Sequence, residues 1–166
     1  MILRLEYKLV EHPYKDELSS TGELWSEIKL KIFDGNNELV KVILDFQWNI
    51  VVFLDWINDN KEALLHEKFP SIRVRSSIAE SLFQFYEELG PDSDSENLME
   101  IIYDYRQRHG IRFALRGTDV DNIYIGKLNE VVTISLYDND EDKWSFDIEV
   151  ESFINDVQNA LYSIGG

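Results

Sequence analysis

Val131-Val-Thr-Ile-Ser-Leu-Tyr137-Asp-Asn-Asp-Glu-Asp142-Lys-Trp-Ser-Phe-Asp-Ile148 reads as strand, turn, strand. Val132, Ile134 and Leu136 alternate with Thr133, Ser135 and Tyr137. Trp144, Phe146 and Ile148 alternate with Lys143, Ser145 and Asp147. Successive side chains of a strand point to opposite faces, so each run predicts one buried and one wet face. Between them, Asp138-Asn-Asp-Glu-Asp142 has the composition of a solvated turn.

Upstream of this hairpin the same alternation recurs. Ile111, Phe113 and Leu115 form one apolar set, and Ile123 and Ile125 another, with Arg112, Arg116, Asn122 and Tyr124 facing out. Consecutive strands with short links are usually neighbours. Residues 111–148 therefore predict a four-stranded antiparallel meander. Downstream, Val150, Phe153, Ile154, Val157, Leu161 and Ile164 make the apolar stripe of a terminal helix.

Strands also open the chain. Leu3, Leu5, Tyr7 and Leu9 alternate with charged residues, as do Ile28, Leu30 and Ile32, then Val40, Val42, Leu44 and Phe46. Asp34-Gly-Asn-Asn37 predicts the hairpin turn, because Gly and Asn tolerate positive φ. The segment Glu11–Gly22 reads as a loop.

The middle of the chain is helical in pattern. Gln47–Ile57 is almost wholly apolar and reads as a buried helix, with a strand as the alternative. Asp59-x-x-Glu62 and Ser77-x-x-Glu80 read as capping boxes, each opening a helix. Leu98, Ile101, Ile102, Tyr105 and His109 mark another helix, closed by Gly110. Arg73 and Arg75 predict a short strand. The whole is a single α+β domain over residues 1–166, mainly antiparallel sheet with about four to five helices packed on it.

The 166 residues carry 32 acids against 16 Lys and Arg, a formal net charge of −16. The last 50 residues hold 11 acids, opposed only by Lys127 and Lys143. A phosphate backbone would be repelled, so no nucleic-acid partner is expected. Aromatic residues make up 13% of the chain, enough for a sizeable core in spite of the charge. The chain has no cysteine, which removes disulfides and thiolate chemistry and fits a reducing compartment. The N-terminus alternates instead of running apolar, and the longest apolar run, Ile50–Leu54, falls far short of the about 20 residues a membrane helix needs. These features lead to the expectation of a soluble cytoplasmic protein with no membrane partner.

In an up-and-down meander, Gly117–Asp121 and Asp138–Asp142 are alternate turns at the same end of the sheet. Asp119, Asp121, Asp138, Asp140, Glu141 and Asp142 would crowd that end, with Arg116 as partial neutralisation. Such a patch steers a basic partner. Tyr124 and Tyr137 on the wet face, beside Arg112, Arg116, Thr133 and Ser135, extend the candidate surface, since Tyr and Arg are favoured at binding hot spots. Arg106, Arg108, His109, Arg112 and Arg116 form the one basic island and are expected to pair with acids of the same surface.

No catalytic residue, metal ligand set or cofactor motif is assigned. The residues Asp138–Glu149 offer oxygens at the first, third, fifth and twelfth positions of a calcium loop, but Lys143 stands where the sharp turn needs Gly. His12, His66 and His109 are too widely spaced for a zinc helix.

Phe113-Ala-Leu-Arg-Gly117, the strand Val131–Tyr137, and Trp144-Ser-Phe-Asp-Ile148 leading into a C-terminal helix give the chain its overall look. In architecture and composition it resembles the small acidic immunity proteins of bacterial polymorphic toxin systems. The resemblance implies an inhibitor that binds and blocks a basic toxin, without chemistry of its own. It carries no binding residues over to this chain. The expectation is a non-enzymatic acidic binding protein. Its alternatives are an enzyme or small-ligand protein with a pocket between helices and sheet, lined by residues such as Trp48, Trp56 and Tyr105, and a calcium-binding domain at the acidic turns.

Overall fold

Alternation along β1 (Ile2–Leu9), β2 (Trp25–Phe33) and β3 (Leu39–Asn49) builds an antiparallel sheet in the order β1-β2-β3. The structure, a computed structural model, describes residues 1–14, 23–90 and 96–165. The chain divides into two compact units, Met1–Asp59 with Glu149–Gly166, and Asn60–Ile148. Most of the expected Glu11–Gly22 loop lies outside the described residues.

In the first unit, Ser26, Ile28, Leu30 and Ile32 of β2 are buried at every second position. Across the opposite face, Lys31 pairs with Glu6 and Lys29 with Asp45 at 2.8 Å. The β2–β3 turn forms as its composition predicts. The Asp34 carboxylate accepts from the N–H groups of Asn36 and Glu38, and Asn37 takes φ 65°. The C-terminal helix α4 (Val150–Gly165) packs against β1 through the expected stripe, with Val150, Phe153, Ile154 and Val157 buried.

Helix α1 (Ile50–His66) corrects two expectations. Gln47–Asn49 belong to β3, and the helix begins only at Ile50. Asn49 is the reason: its side-chain oxygen accepts from the Val51 N–H at 3.2 Å and the Leu24 N–H at 3.3 Å, which caps the helix as it leaves the sheet. No second helix opens at Asp59. Ile50, Phe53, Leu54, Ile57 and Leu64 are all buried at helical spacing, so the apolar stripe carries one helix through the supposed capping box.

The second unit is organised on β4 (Ile123–Leu128), β5 (Val131–Tyr137) and β6 (Lys143–Asp147), antiparallel in the order β4-β5-β6. Asn129 and Glu130, both at positive φ, make the two-residue β4–β5 turn. Three strands stand where the sequence pattern predicted four. Ile111–Leu115 is a 3-10 helix, in which Ile111, Ala114 and Leu115 are buried while Arg112 is exposed. Its three- and four-residue spacing had been masked by the alternation of Ile111, Phe113 and Leu115. Strand β4 instead meets that region through one bridge, Gly110 with Tyr124, and meets Lys68 through another at Lys127. The expected strand at Arg73 and Arg75 is absent too. The Arg75 N–H donates to Ser81 Oγ at 2.8 Å and its guanidinium pairs with Glu88.

Helices α2 (Ile78–Glu88) and α3 (Glu96–His109) complete this unit, making four α-helices among the described residues. Ser77 caps α2, its hydroxyl accepting from the Glu80 N–H at 3.1 Å. Glu80 reaches back as a capping box requires, but to Ser76. Among the described residues no helix is long and apolar enough to cross a membrane.

Candidate functional site

Pairing in the second sheet decides where its acidic segments go. Ile123 stands opposite Leu136, and Tyr137 opposite Lys143. The residues entering β4 and the turn leaving β5 therefore lie at one end of the sheet. Asp119 and Asp121 belong to the first segment, and Asp138, Asp140, Glu141 and Asp142 to the second; all six are exposed. The juxtaposition expected for a four-stranded meander survives the loss of the first strand, because it depends only on the pairing of β4 with β5.

The β5–β6 turn is closed by its own backbone. The Asp138 N–H donates to the Asp142 carbonyl at 3.0 Å. The Asn139 side-chain oxygen accepts from the N–H groups of Glu141 and Asp142 at 2.9 and 3.0 Å. Asp140 accepts from the Tyr137 hydroxyl at 3.1 Å and from Lys143 Nζ at 3.3 Å, and these contacts hold its carboxyl below the usual carboxylate range. Among the described residues it is the only one of the six acids in an ion pair. Arg116 is exposed and lies over the Phe113 ring, 5.6 Å from its centre.

Strands flank the Asp138–Asp142 turn on both sides, unlike the helices of a calcium loop. Among the described residues no three His, Cys, Asp or Glu side chains are grouped as a metal site requires.

The expected wet face of the sheet is covered. Tyr124, Thr133, Ser135 and Tyr137 are all buried, because α2 lies against β4 and β5. Ser135 Oγ accepts from the Ala79 N–H at 3.2 Å, taking up one of the free donors in the first turn of α2. Alternation of Thr, Ser and Tyr looked solvated, yet each small hydroxyl is compatible with a helix above it.

What remains open on that face is a pocket of about 200 Å³. Phe83 and Tyr86 of α2, Arg106 of α3, Asn122, Tyr124 and Tyr137 line it. The Arg106 Nε donates to the Tyr124 hydroxyl at 3.0 Å, and the guanidinium lies 5.1 Å from the centre of the Tyr86 ring. Burial opposes the charge on Arg106, but Tyr124 and Tyr86 outweigh it and its pKa is raised. Burial likewise pushes the Tyr124 phenol up. Tyr86 is not among the candidate residues that the sequence pattern gives. No local pattern marks it, since the pocket exists only when α2, α3 and the sheet meet.

The rest of the basic island pairs as expected in part. Arg108 donates to both oxygens of Glu67, at 2.8 and 2.6 Å. His109 is buried, with Nδ1 2.7 Å from the Ile125 carbonyl and Nε2 3.0 Å from Glu67. Burial opposes ionisation of Glu67, but Arg108 and His109 prevail and hold its carboxyl at about 2. His12 contacts Glu23 at 3.0 Å, and His66 is exposed. Trp48 packs on Trp25 in the first unit, while Tyr105 is wholly buried in the second and its burial raises its pKa. Neither lines the pocket.

No protein-family model matches the chain, and comparison with curated proteins and with solved structures found no match.

Proposed function

We propose that the chain is a non-enzymatic binding protein that holds a basic protein partner at the acidic end of the second sheet. In this reading it is an immunity-type inhibitor, acting in the bacterial cytoplasm on a toxin whose basic surface it covers. The observation that carries the reading is the placement of Asp119 and Asp121 with Asp138, Asp140, Glu141 and Asp142, all exposed, at the end shared by the start of β4 and the end of β5. Only Asp140 among them is paired within the described residues, so the field of the others is directed outward. Complementary potentials raise the encounter rate and suppress wrong partners. The net charge of −16 adds a long-range attraction for any cationic protein.

Capture from the native cell tests the reading. Tagged wild type is expected to retain a basic polypeptide that blocks growth when expressed alone and is neutralised by co-expression of this chain. The combined Asp138→Asn, Asp140→Asn and Asp142→Asn variant is expected to lose both retention and neutralisation, and added salt is expected to weaken retention by the wild type. Unchanged retention by that variant, with its fold intact, sinks the proposal.

A further inference from the structure

Arg106 is half-buried, and among the described residues it has no carboxylate partner. Partly buried Lys29, Lys31, Arg75, Arg108 and Lys127 each pair with an acid. In a chain where acids outnumber bases two to one, a pocket-lining guanidinium with no carboxylate beside it is informative. Removing a charge from water is costly unless a counter-charge or a full set of hydrogen bonds replaces it.

The pocket around it is rich in donors. A guanidinium carries five N–H donors and no acceptor; Tyr124 engages Nε and Tyr86 takes a further hydrogen bond, which leaves donors over for a ligand. Because the Tyr124 hydroxyl accepts that bond, its own proton is left to donate. Glu87 is the one carboxylate in the lining, and it is exposed. Apart from the exposed Asn122, the remaining walls are aromatic and apolar: Ala79, Leu82, Phe83, Tyr86 and Tyr137. An apolar cavity of about 150 Å³ accepts benzene. The pocket, at about 200 Å³, has room for one ring with a small polar group.

We propose that this pocket binds a single-ring aromatic carboxylate, with the ring against Phe83, Tyr86 and Tyr137 and the carboxylate on Arg106 and the Tyr124 hydroxyl. Planar carboxylates match the guanidinium fork and bind it bidentately. A cationic ring is repelled by Arg106. A neutral ring leaves its charge unpaired, and inorganic phosphate leaves the aromatic walls unused. The site differs from the proposed docking of a basic protein in its charge, which comes from Arg106; the two adjoin where the Tyr137 hydroxyl donates to Asp140.

Amide spectra of the labelled full chain, titrated with benzoate, benzylamine or inorganic phosphate, test the proposal. Benzoate at millimolar concentration is expected to give saturable shifts at Phe83, Tyr86, Arg106, Tyr124 and Tyr137, and the other two probes are not. Arg106→Gln is expected to weaken benzoate at least about tenfold, the loss of a hydrogen bond to a charged group. Arg106→Lys, which keeps the charge but loses the fork, is expected to bind at an intermediate level and provides the reading if Arg106→Gln does not fold. Glu87→Gln is expected to strengthen binding, which a purely structural role for Arg106 would not cause. The Asp138→Asn and Asp142→Asn variant, which leaves the Tyr137–Asp140 contact in place, is expected to retain benzoate binding. Absence of saturable shifts in the wild type overturns the proposal. So does tighter binding of benzylamine or phosphate, or benzoate binding in the folded Arg106 variants equal to that of the wild type.

Discussion

The imidazole of His109 lies flat on the ring of Tyr105, with ring centres 3.9 Å apart and planes inclined by 14°. Both side chains are fully buried. Gly126 lies against the polar edge of the stack. A Cβ at that position would stand 2.5 Å from the Tyr105 hydroxyl, 2.8 Å from His109 Nδ1 and 3.2 Å from Ile78 Cδ1.

Gly126→Ala is therefore expected to destabilise the fold by about 1–3 kcal/mol, the usual cost of overpacking a filled core. Gly126 sits in the middle of β4, where Gly is otherwise a poor strand former, so this is a packing requirement and not a turn. Urea denaturation of the two proteins checks it. Equal midpoints would show that the His109–Tyr105 stack moves aside freely.

Tyr105→Phe has the opposite expectation. The Tyr105 hydroxyl is buried and has no hydrogen-bond partner among the described residues. Removing an unsatisfied polar group of this kind is expected to be neutral or to stabilise by about 1 kcal/mol. Thermal melting measures it, and a loss of more than about 1 kcal/mol would reveal a partner for that oxygen.

Glu67 makes stability depend on acid. Its carboxyl titrates at about 2 in the fold against 4.5 for the free side chain, because Arg108 and His109 favour the anion more than burial opposes it. The unfolded chain thus takes up this proton first as pH falls. The contribution of Glu67 is fully present above about pH 4.5 and is lost as pH drops through about 2. Glu67→Gln is expected to be less stable than wild type at neutral pH, and to lose less stability between those two pH values. Denaturation midpoints across that range test both statements, and parallel pH profiles would contradict them.

Ser77→Ala removes the cap of α2. The expected loss is about 1 kcal/mol, since the Glu80 N–H loses its acceptor at the start of a helix. Ser77→Asp retains an acceptor and is expected to recover most of that loss. Melting temperatures of the two variants decide the point.

Much of this architecture was legible in local pattern. Ile28, Leu30 and Ile32 are buried in period two, as read, and Ser77 caps the helix its motif announced. The meeting of Gly117–Asp121 with Asp138–Asp142 also followed, because antiparallel neighbours fix which loops share an end. Short segments were less readable. Five residues at 111–115 fit both a two-residue and a three-residue period, and only the burial of Ala114 separates them. Helix α1 was misplaced at its start because the apolar run reaches back through Trp48 into β3 and hides Asn49, a favoured cap type, inside it. The covering of Tyr124 and Tyr137 was beyond local reading altogether. It depends on α2 lying on the sheet from more than 30 residues away, with Arg106 brought in from α3.

The 3-10 helix at Ile111–Leu115 also decides how the second sheet ends. A strand there would have continued the sheet past β4. Without it β4 is a boundary, and a bare boundary strand is a template for pairing with another chain. Here each end of that boundary is fastened by a single bridge, Lys68 with Lys127 and Gly110 with Tyr124. On the other side β6 is only five residues long and exposes Lys143 and Asp147. Short, charged margins of this kind discourage edge-to-edge stacking, so the sheet resists growing into a fibre even though β4 and β5 are rich in Ile, Val and Tyr.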